Sequence, residues 1–579
     1  MEVRGTSLIM KMAESKINWT GNPWVDTGLA VMVAKAKKEN IEDFTYDDFE
    51  NVISDGVWLA EVNRKLKAFN MVAGTNSSLT NTSLNDSLKK KNKNKSLNSM
   101  DDEGFKQYCD IIKKLKDSVL NCTGGKFICE SCGERPTTEV LLEYGKDIGR
   151  DWFPLIGSIG NDAQALPAAS RTARICSLCL LSIQFLPLGA FIVGGKIACF
   201  QSTYMELTQL MVSEIYKKTT DKLQLLRTDE RLPAVGQGEG SKTAIIKLLR
   251  LMEIFQQNKR MVKLPRYISL NIWLFSNSGQ GPDSDLIEIP NNALTFLWDC
   301  ARLYRNEIEE LLKKETKKVD FQLFECIKRK IEYSGFYPYK DSKPASKGLF
   351  ELYHKNILGD LQYSLELAEW IAYNIKSKLS AGDKNDKKLL AKLIKENAYK
   401  SKGKELLKKI KGIFIRLAEE GSLSLEDYSL LFPKENDIKH FSVKKEAFKW
   451  IWFYLNQDNI NDKKPAKEAI TCMDNHYQIV KTFAKDTFDY YKQKERREIK
   501  YIKNNILDKF KKGDISTHDM KRWFINLAED KKGYTNDAWD DLCRDDNGNN
   551  NTSEVRFVFR LEMTNLYRQA KITEGGTAK

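Results

Sequence analysis

The chain has 579 residues, 41% of them hydrophobic, and its 93 Lys and Arg against 79 Asp and Glu give a formal net charge of +14. That length and apolar content exclude a mainly disordered chain and imply two or three domains. The positive balance favours polyanionic partners without identifying one.

The first residues lack the apolar stretch and cleavage site of a signal peptide. In WTGNPWVDTGLAVMVAKAKK, Asn22 and Pro23 predict a helix start, as cap and first-turn residue. Val25, Gly28, Leu29, Met32 and Ala36 then share a face, while Lys35, Lys37 and Lys38 suit the negative C-terminal end. This is a packing helix and carries no chemistry. Gly74 to Asp102 is rich in Ser, Asn and Lys and poor in aromatics, so it cannot bury enough surface to order itself. Lys89, Lys91 and Lys93 make it a positive arm, either a solvated loop or a phosphate contact.

Eleven cysteines, mostly isolated and without an export signal, fit a reducing cytoplasm better than a disulfide framework. Two pairs stand apart. Cys129-Glu-Ser-Cys132 and Cys176-Ser-Leu-Cys179 are separated by 43 residues. Each Cys-x-x-C turn can aim both thiolates at one point, and two such knuckles complete a tetrahedral zinc site of four thiolates. The separation exceeds that of a compact zinc ribbon, so a lobe must hang between the knuckles; the alternative is two unrelated pairs of reduced cysteines. Four sulfur ligands leave no open position, which makes such a zinc ion structural. A thioredoxin-like role is disfavoured on the expectation that neither pair opens a helix after a strand.

The segment from Ser158 to Arg174 carries Asn161, Asp162, Gln164, Arg171 and Arg174. Amide side chains read base edges by donating and accepting together, and arginines contact phosphates or bases. From the residues alone, Asn161 and Asp162 capping a turn is the simpler reading. The uncharged run from Ile175 to Gly195 is just long enough to span a bilayer, but Pro187, Gly189 and the Gly194-Gly195 pair break it. It predicts a short buried helix followed by a hairpin, AFIV-GG-KIACF, and no membrane contact.

From Lys242 to Lys263 an amphipathic helix carries Lys242, Lys247, Arg250, Lys259, Arg260 and Lys263 against Glu253 alone. YISLNIWLFSNSGQGPDSDLIEIP then predicts two strands; its loop lacks the Lys-Ser/Thr of a P-loop and the spacing of a dinucleotide motif. Beyond about Asn291 helical periodicity takes over. Lys384 to Lys411 holds eleven lysines, Lys388, Lys392 and Lys395 among them, against three carboxylates. Interleaved leucines and isoleucines let one face pack while the other stays positive, as a solvated face or a nucleic-acid contact.

The fold expected is α+β. A mixed N-terminal domain over 1–375 carries the four-cysteine zinc-knuckle insertion at 129–179, and a mainly α-helical C-terminal bundle covers 376–579. The four histidines are scattered through the helical half, and no HExxH, GxSxG or Walker signature occurs. A non-catalytic protein is expected.

Taken in order, TGNPWVDTGLAVM, FICESCGE, FPLIGSIGNDAQALPAAS with ICSLCLLSIQFLPLG, and FSNSGQGPDSDLIEIP closely resemble the large subunit of the type I-B CRISPR surveillance complex, Cascade, of the Tneap subtype. The resembling blocks lie between about Thr20 and Pro290; the helical remainder matches only in length and character. The resemblance implies a cytoplasmic, non-catalytic subunit working with crRNA-containing Cascade proteins: the backbone, repeat-handle and small subunits. Its N-terminal domain would sense the protospacer-adjacent motif in double-stranded DNA and aid strand separation. Its helical bundle would line the path of the displaced strand, and a separate helicase-nuclease effector would be recruited. Base pairing then reads the target, while protein reads a short duplex motif and backbone geometry.

Under that resemblance Asn161 and Gln164 become candidate motif readers with Arg171 and Arg174 beside them. Lys89, Lys91, Lys93, Lys388, Lys392 and Lys395 become candidate phosphate contacts. In this family an internal start can yield a separate small subunit, and Met473 is a candidate, giving a product over 473–579. The alternatives are a stand-alone zinc-containing nucleic-acid-binding protein, a transposon-associated Cascade subunit recruiting transposition proteins, and a nuclease with a dispersed site.

Overall fold

A computed structural model describes residues 16–66, 69, 72, 103–145, 148–149, 152–155, 173–227, 232, 240–261, 263–276, 283–314, 322–337, 344–378, 404–433, 446–465, 475–494, 498–527, 534–543 and 552–576. The chain divides into two compact units, Met1–Lys330 and Ile331–Lys579. The limit drawn at 375 from the sequence falls inside the helix Gln362–Lys378 of the second unit.

The first unit begins with α1 (Pro23–Lys35), α2 (Tyr46–Ile53), α3 (Val57–Lys65) and α4 (Glu103–Leu120). The Asn22 side chain caps α1, accepting from the backbone N–H groups of Trp24 (3.0 Å) and Val25 (3.3 Å). Every residue from Trp24 to Val33 is buried, so α1 is a central helix. Its main partner is α5 (Ser177–Gly189), which is buried along its whole length. The two helices touch at Gly28, where a Cβ would lie 1.8 Å from the Ser182 carbonyl oxygen. A larger residue there would push the helices apart.

Gln184, the largest polar residue of α5, stays satisfied in the core: its backbone carbonyl oxygen accepts from Asn63 of α3 (3.2 Å), and its side chain from Tyr108 of α4 (3.2 Å). The uncharged run is thus a core helix and hairpin as expected, and among the described residues no helix is long and apolar enough to cross a membrane.

The hairpin is β1 (Phe191–Val193) and β2 (Lys196–Ser202), turning at Gly194 and Gly195. After α6 (Met205–Gln224) and α7 (Gly240–Gln257) come β3 (Leu270–Ser276) and β4 (Asp283–Ile289). The four strands form one antiparallel sheet in the order β1-β2-β3-β4. Trp24 of α1 packs on Phe275 of β3, ring centroids 4.3 Å apart, joining helix layer to sheet. From Asn291 the described chain is helical, with α8 (Asn291–Leu303), α9 (Arg305–Lys314) and α10 (Leu323–Arg329) completing the unit.

The second unit is helical throughout its described residues, which makes the whole molecule α+β. Its elements include α11 (Lys347–Tyr353), α12 (Gln362–Lys378), α13 (Lys404–Glu419), α14 (Leu425–Leu431), α15 (Ala447–Leu455) and α16 (Asn475–Asp489). After these come α17 (Thr517–Asn526), α18 (Asn536–Cys543) and α19 (Thr552–Gly576). Aromatic rings build its core. Phe350 stacks on Phe453 at 3.7 Å, and Tyr428, Phe432 and Phe557 form a second group. Buried carboxylates take partly exposed lysines as partners: Glu369 of α12 pairs with Lys347 of α11 (2.7 Å), and Asp427 of α14 with Lys464 from a loop (2.6 Å). Lys411, from the lysine-rich strip, turns inward onto Glu554, which also accepts from the Tyr428 hydroxyl. α19 packs on both α13 and α16, so the helices after position 473 share a core with helices before it.

Candidate metal centre

The first cysteine pair sits in a tight loop closed by its own backbone. Thr137 N–H donates to the Phe127 carbonyl (2.9 Å), Cys129 N–H to Arg135 (2.8 Å), and Gly133 N–H to Cys129 (2.9 Å). Gly133 adopts φ +69°, a left-handed conformation costly for a residue with a Cβ, and this lets the chain turn back after Cys132. The second pair opens α5: Cys176 is its N-cap residue, and its sulfur accepts from the Cys179 N–H (3.4 Å).

The second pair opens a helix, but Ala173 to Ile175 before it are not a strand, so the strand–helix setting of a thioredoxin-like pair is not found there. The placement suits thiolates, because unpaired N–H groups and the positive end of the helix dipole stabilise negative sulfur.

Backbone bonds stitch the two knuckles together. Glu130 N–H donates to the Arg174 carbonyl (2.8 Å) and Thr138 N–H to the Ile175 carbonyl (2.9 Å). Cys176 N–H donates directly to the Cys129 sulfur (3.2 Å). At the floor of the site, the Ser177 and Ser118 hydroxyls meet at 2.9 Å and tie α5 to α4.

All four sulfurs lie within 4.8 Å of one another. The Cys129–Cys179 and Cys132–Cys176 separations are 3.9 and 3.8 Å. Those lengths are nearly twice a disulfide bond of about 2.05 Å. They match the edge of a tetrahedron whose centre lies about 2.3 Å from each vertex, roughly 3.8 Å, as zinc–thiolate distances require. Cys129, Cys176 and Cys179 are buried and Cys132 is half-buried. The donor set therefore fits a metal ion held by sulfur alone.

The thiols also shift each other's ionisation. The Cys132 thiol falls far below the usual range because Cys129, Cys176 and Cys179 all donate to it. Cys176 and Cys179 are pushed well up, first by the neighbouring Cys129 sulfur, then by Cys132 and by burial; Cys176 adds to the rise at Cys179, whereas Cys179 opposes it at Cys176. Without a cation, four thiolates cannot share so small a volume; a divalent ion removes that conflict.

A family model described as CRISPR-associated protein (Cas_CXXC_CXXC) matches residues 124–191, the segment that holds both cysteine pairs and α5. This match points to a CRISPR-associated protein. No curated protein and no solved structure matches the chain.

Among the other expected site residues, the structure describes Arg174. Its guanidinium lies 3.6 Å from the centroid of the Phe127 ring, anchoring it to the first knuckle. Phe127 is 52% exposed and Ile128 beside it 50%, an apolar tip the cysteine spacing did not announce. Its trace in the sequence is FIC, two large apolar residues directly before the first cysteine of the knuckle. Asn161, Gln164, Arg171, Lys89, Lys91, Lys93, Lys388, Lys392, Lys395 and Met473 lie outside the described residues.

Proposed function

We propose that this chain is the non-catalytic large subunit of a crRNA-guided type I-B Cascade complex, recognising the protospacer-adjacent motif in double-stranded DNA. The observation that carries this reading is the gathering of four sulfurs, at zinc-like separations, inside the segment that matches a CRISPR-associated family. The order of sequence blocks around that segment supplies the subunit assignment.

Cys129, Cys132, Cys176 and Cys179 would hold one zinc ion as thiolates, and the ion would supply charge neutralisation and a rigid cross-link with no open coordination position. The chain's own residues do the rest. Arg174 and Ile175, bonded through their carbonyls to the first knuckle, hold fast the C-terminal end of the segment bearing Asn161, Gln164 and Arg171. A reading segment held at its end loses less entropy on binding DNA than a free one. Asn161 and Gln164 would read base edges and Arg171 and Arg174 phosphates, while the second unit would follow the displaced strand. The bound complex would aid strand separation and recruit a helicase-nuclease.

The test is copurification of the full chain expressed with its neighbouring genes. Guide-length RNA of uniform size in a multi-subunit assembly is the expected result. A lone chain without defined RNA would favour a stand-alone zinc-containing nucleic-acid-binding protein. Within an assembled complex, Asn161→Ala with Gln164→Ala should relax motif preference; an unchanged preference would remove those residues from the reading role.

A further inference from the structure

The basic strip from Lys242 to Lys263 has no part in the metal centre, yet its surroundings are unusual. Lys247 lies on α7, half-buried. Lys218 and Lys222 approach it from α6 and Arg250 from its own helix. Glu214 of α6 bonds Lys218 (3.5 Å) and also Arg260 (3.6 Å), just past the C-terminal end of α7. The seam between α6 and α7 is thus one of facing charges, with Lys218, Lys222 and Arg250 around Lys247 and Glu214 reaching Arg260. On its remaining side Lys247 meets Phe191 of β1, its ammonium 5.8 Å from the ring centroid.

Arg250 is satisfied by Glu309 at 2.7 Å, and Arg260 and Lys218 share Glu214. Lys222 and Lys247 have no carboxylate partner among the described residues. Burial first, then the charges of Lys218, Lys222 and Arg250, together push the Lys247 ammonium down to about 8, with Glu214 opposing them. A fold that needed only packing at position 247 would use leucine there. Crowded, partly dehydrated cations are stable once an anion joins them, and a cleft lined by one sign concentrates the opposite one.

We infer that the seam between α6 and α7, centred on Lys247 with Lys218, Lys222 and Arg250, is a binding site for the phosphodiester backbone of nucleic acid. Side chains of this kind contact phosphates without reading sequence, so the seam supplies affinity and register to whatever the rest of the protein specifies. The inference rests on the nucleic-acid-binding part of the proposed function. It adds a second contact surface, away from the cysteines.

The experiment uses the full chain in whatever assembly it copurifies with, and measures affinity for a 30-bp duplex, a 30-nucleotide single DNA strand and an RNA of the same length across a salt series. Lys247→Gln should weaken binding several-fold, independently of sequence. It should also flatten the slope of log affinity against log salt by about 0.9 for duplex and about 0.7 for single strands. Lys247→Arg should retain most of both, and Lys314→Gln, an exposed lysine of α9 paired with Glu310, should change neither. The probe most affected identifies which strand the seam holds.

Unchanged slopes in both Lys247→Gln and the triple variant with Lys218→Gln and Lys222→Gln overturn the inference, as does competition by polyglutamate as strong as that by DNA. Guide RNA assayed in the same preparations separates the two failures. Guide RNA present with unaltered slopes sinks the seam alone, whereas guide RNA absent with altered slopes sinks the Cascade assignment alone.

Discussion

The cysteine centre and the helical second unit are specified in opposite ways. Around Cys129 and Cys176 a few residues at fixed spacing decide the structure: two knuckles, one left-handed glycine, one helix N-terminus, and backbone bonds between them. In the second unit no short motif decides anything. Rings such as Phe350, Phe453, Tyr428 and Phe557 and pairs such as Lys347–Glu369 contribute diffusely, and many other sequences would pack as well. Chemistry concentrated in a local pattern is therefore recognisable over a short match, while a bundle held by periodicity declares its class and little else.

That contrast can be broken by perturbing each region in turn. The largest effect is expected at the metal centre. Cys179→Ser removes one of four ligands, so zinc should fall from about one per chain to near none, and thermal unfolding of the first unit should come about 10 °C earlier. Metal analysis alongside calorimetry checks this, and unchanged zinc content would mean that the four sulfurs do not act together.

Next comes Phe350→Ala. A buried ring lost from the second unit should cost about 3–5 kcal/mol, and hydrogen exchange should show α11 and α15 loosened while amides at the knuckles keep their protection. Equal loosening in both places would show that the two regions are not specified separately.

Gly28→Ala sharpens the comparison inside the first unit, since it adds one methyl at the closest approach of α1 and α5. The clash with the Ser182 carbonyl should cost about 1–3 kcal/mol by denaturant titration, while the zinc content stays normal. Zinc loss in this variant would mean that the helix pair, rather than the knuckle bonds, positions Cys176 and Cys179.

The smallest effect concerns pH. Burial, helped by Glu426 and opposed by Lys481, raises the Glu562 carboxyl from 4.5 to about 7 in the folded chain. The native state therefore keeps a proton that the unfolded chain releases. This stability is fully present below pH 4.5, falls as pH rises through about 7, and then levels off. Glu562→Gln should flatten that part of the pH–stability profile; a profile identical to the parent's would place the titration elsewhere.

Much of this was legible in the residues. Asn22-Pro23 marked the start of α1, Gly194-Gly195 the hairpin turn, and the paired Cys-x-x-C spacings the sulfur cluster, because each is a local constraint with few solutions. Other features depend on contacts distant in sequence and left no local trace. The link from Glu130 to Arg174 and the inward turn of Lys411 onto Glu554 both belong to this class. The domain limit was equally hard to see, since one helix, Gln362–Lys378, runs through the position chosen.

The central claim is that four cysteines jointly hold a structural metal in a crRNA-guided subunit. Native mass spectrometry of the complex purified with its guide, followed by thiol alkylation under native conditions, tests it most directly. The account predicts about one zinc per chain, with Cys129, Cys132, Cys176 and Cys179 resisting alkylation until a chelator is added. A chain that carries no metal and alkylates readily at all four positions would contradict it.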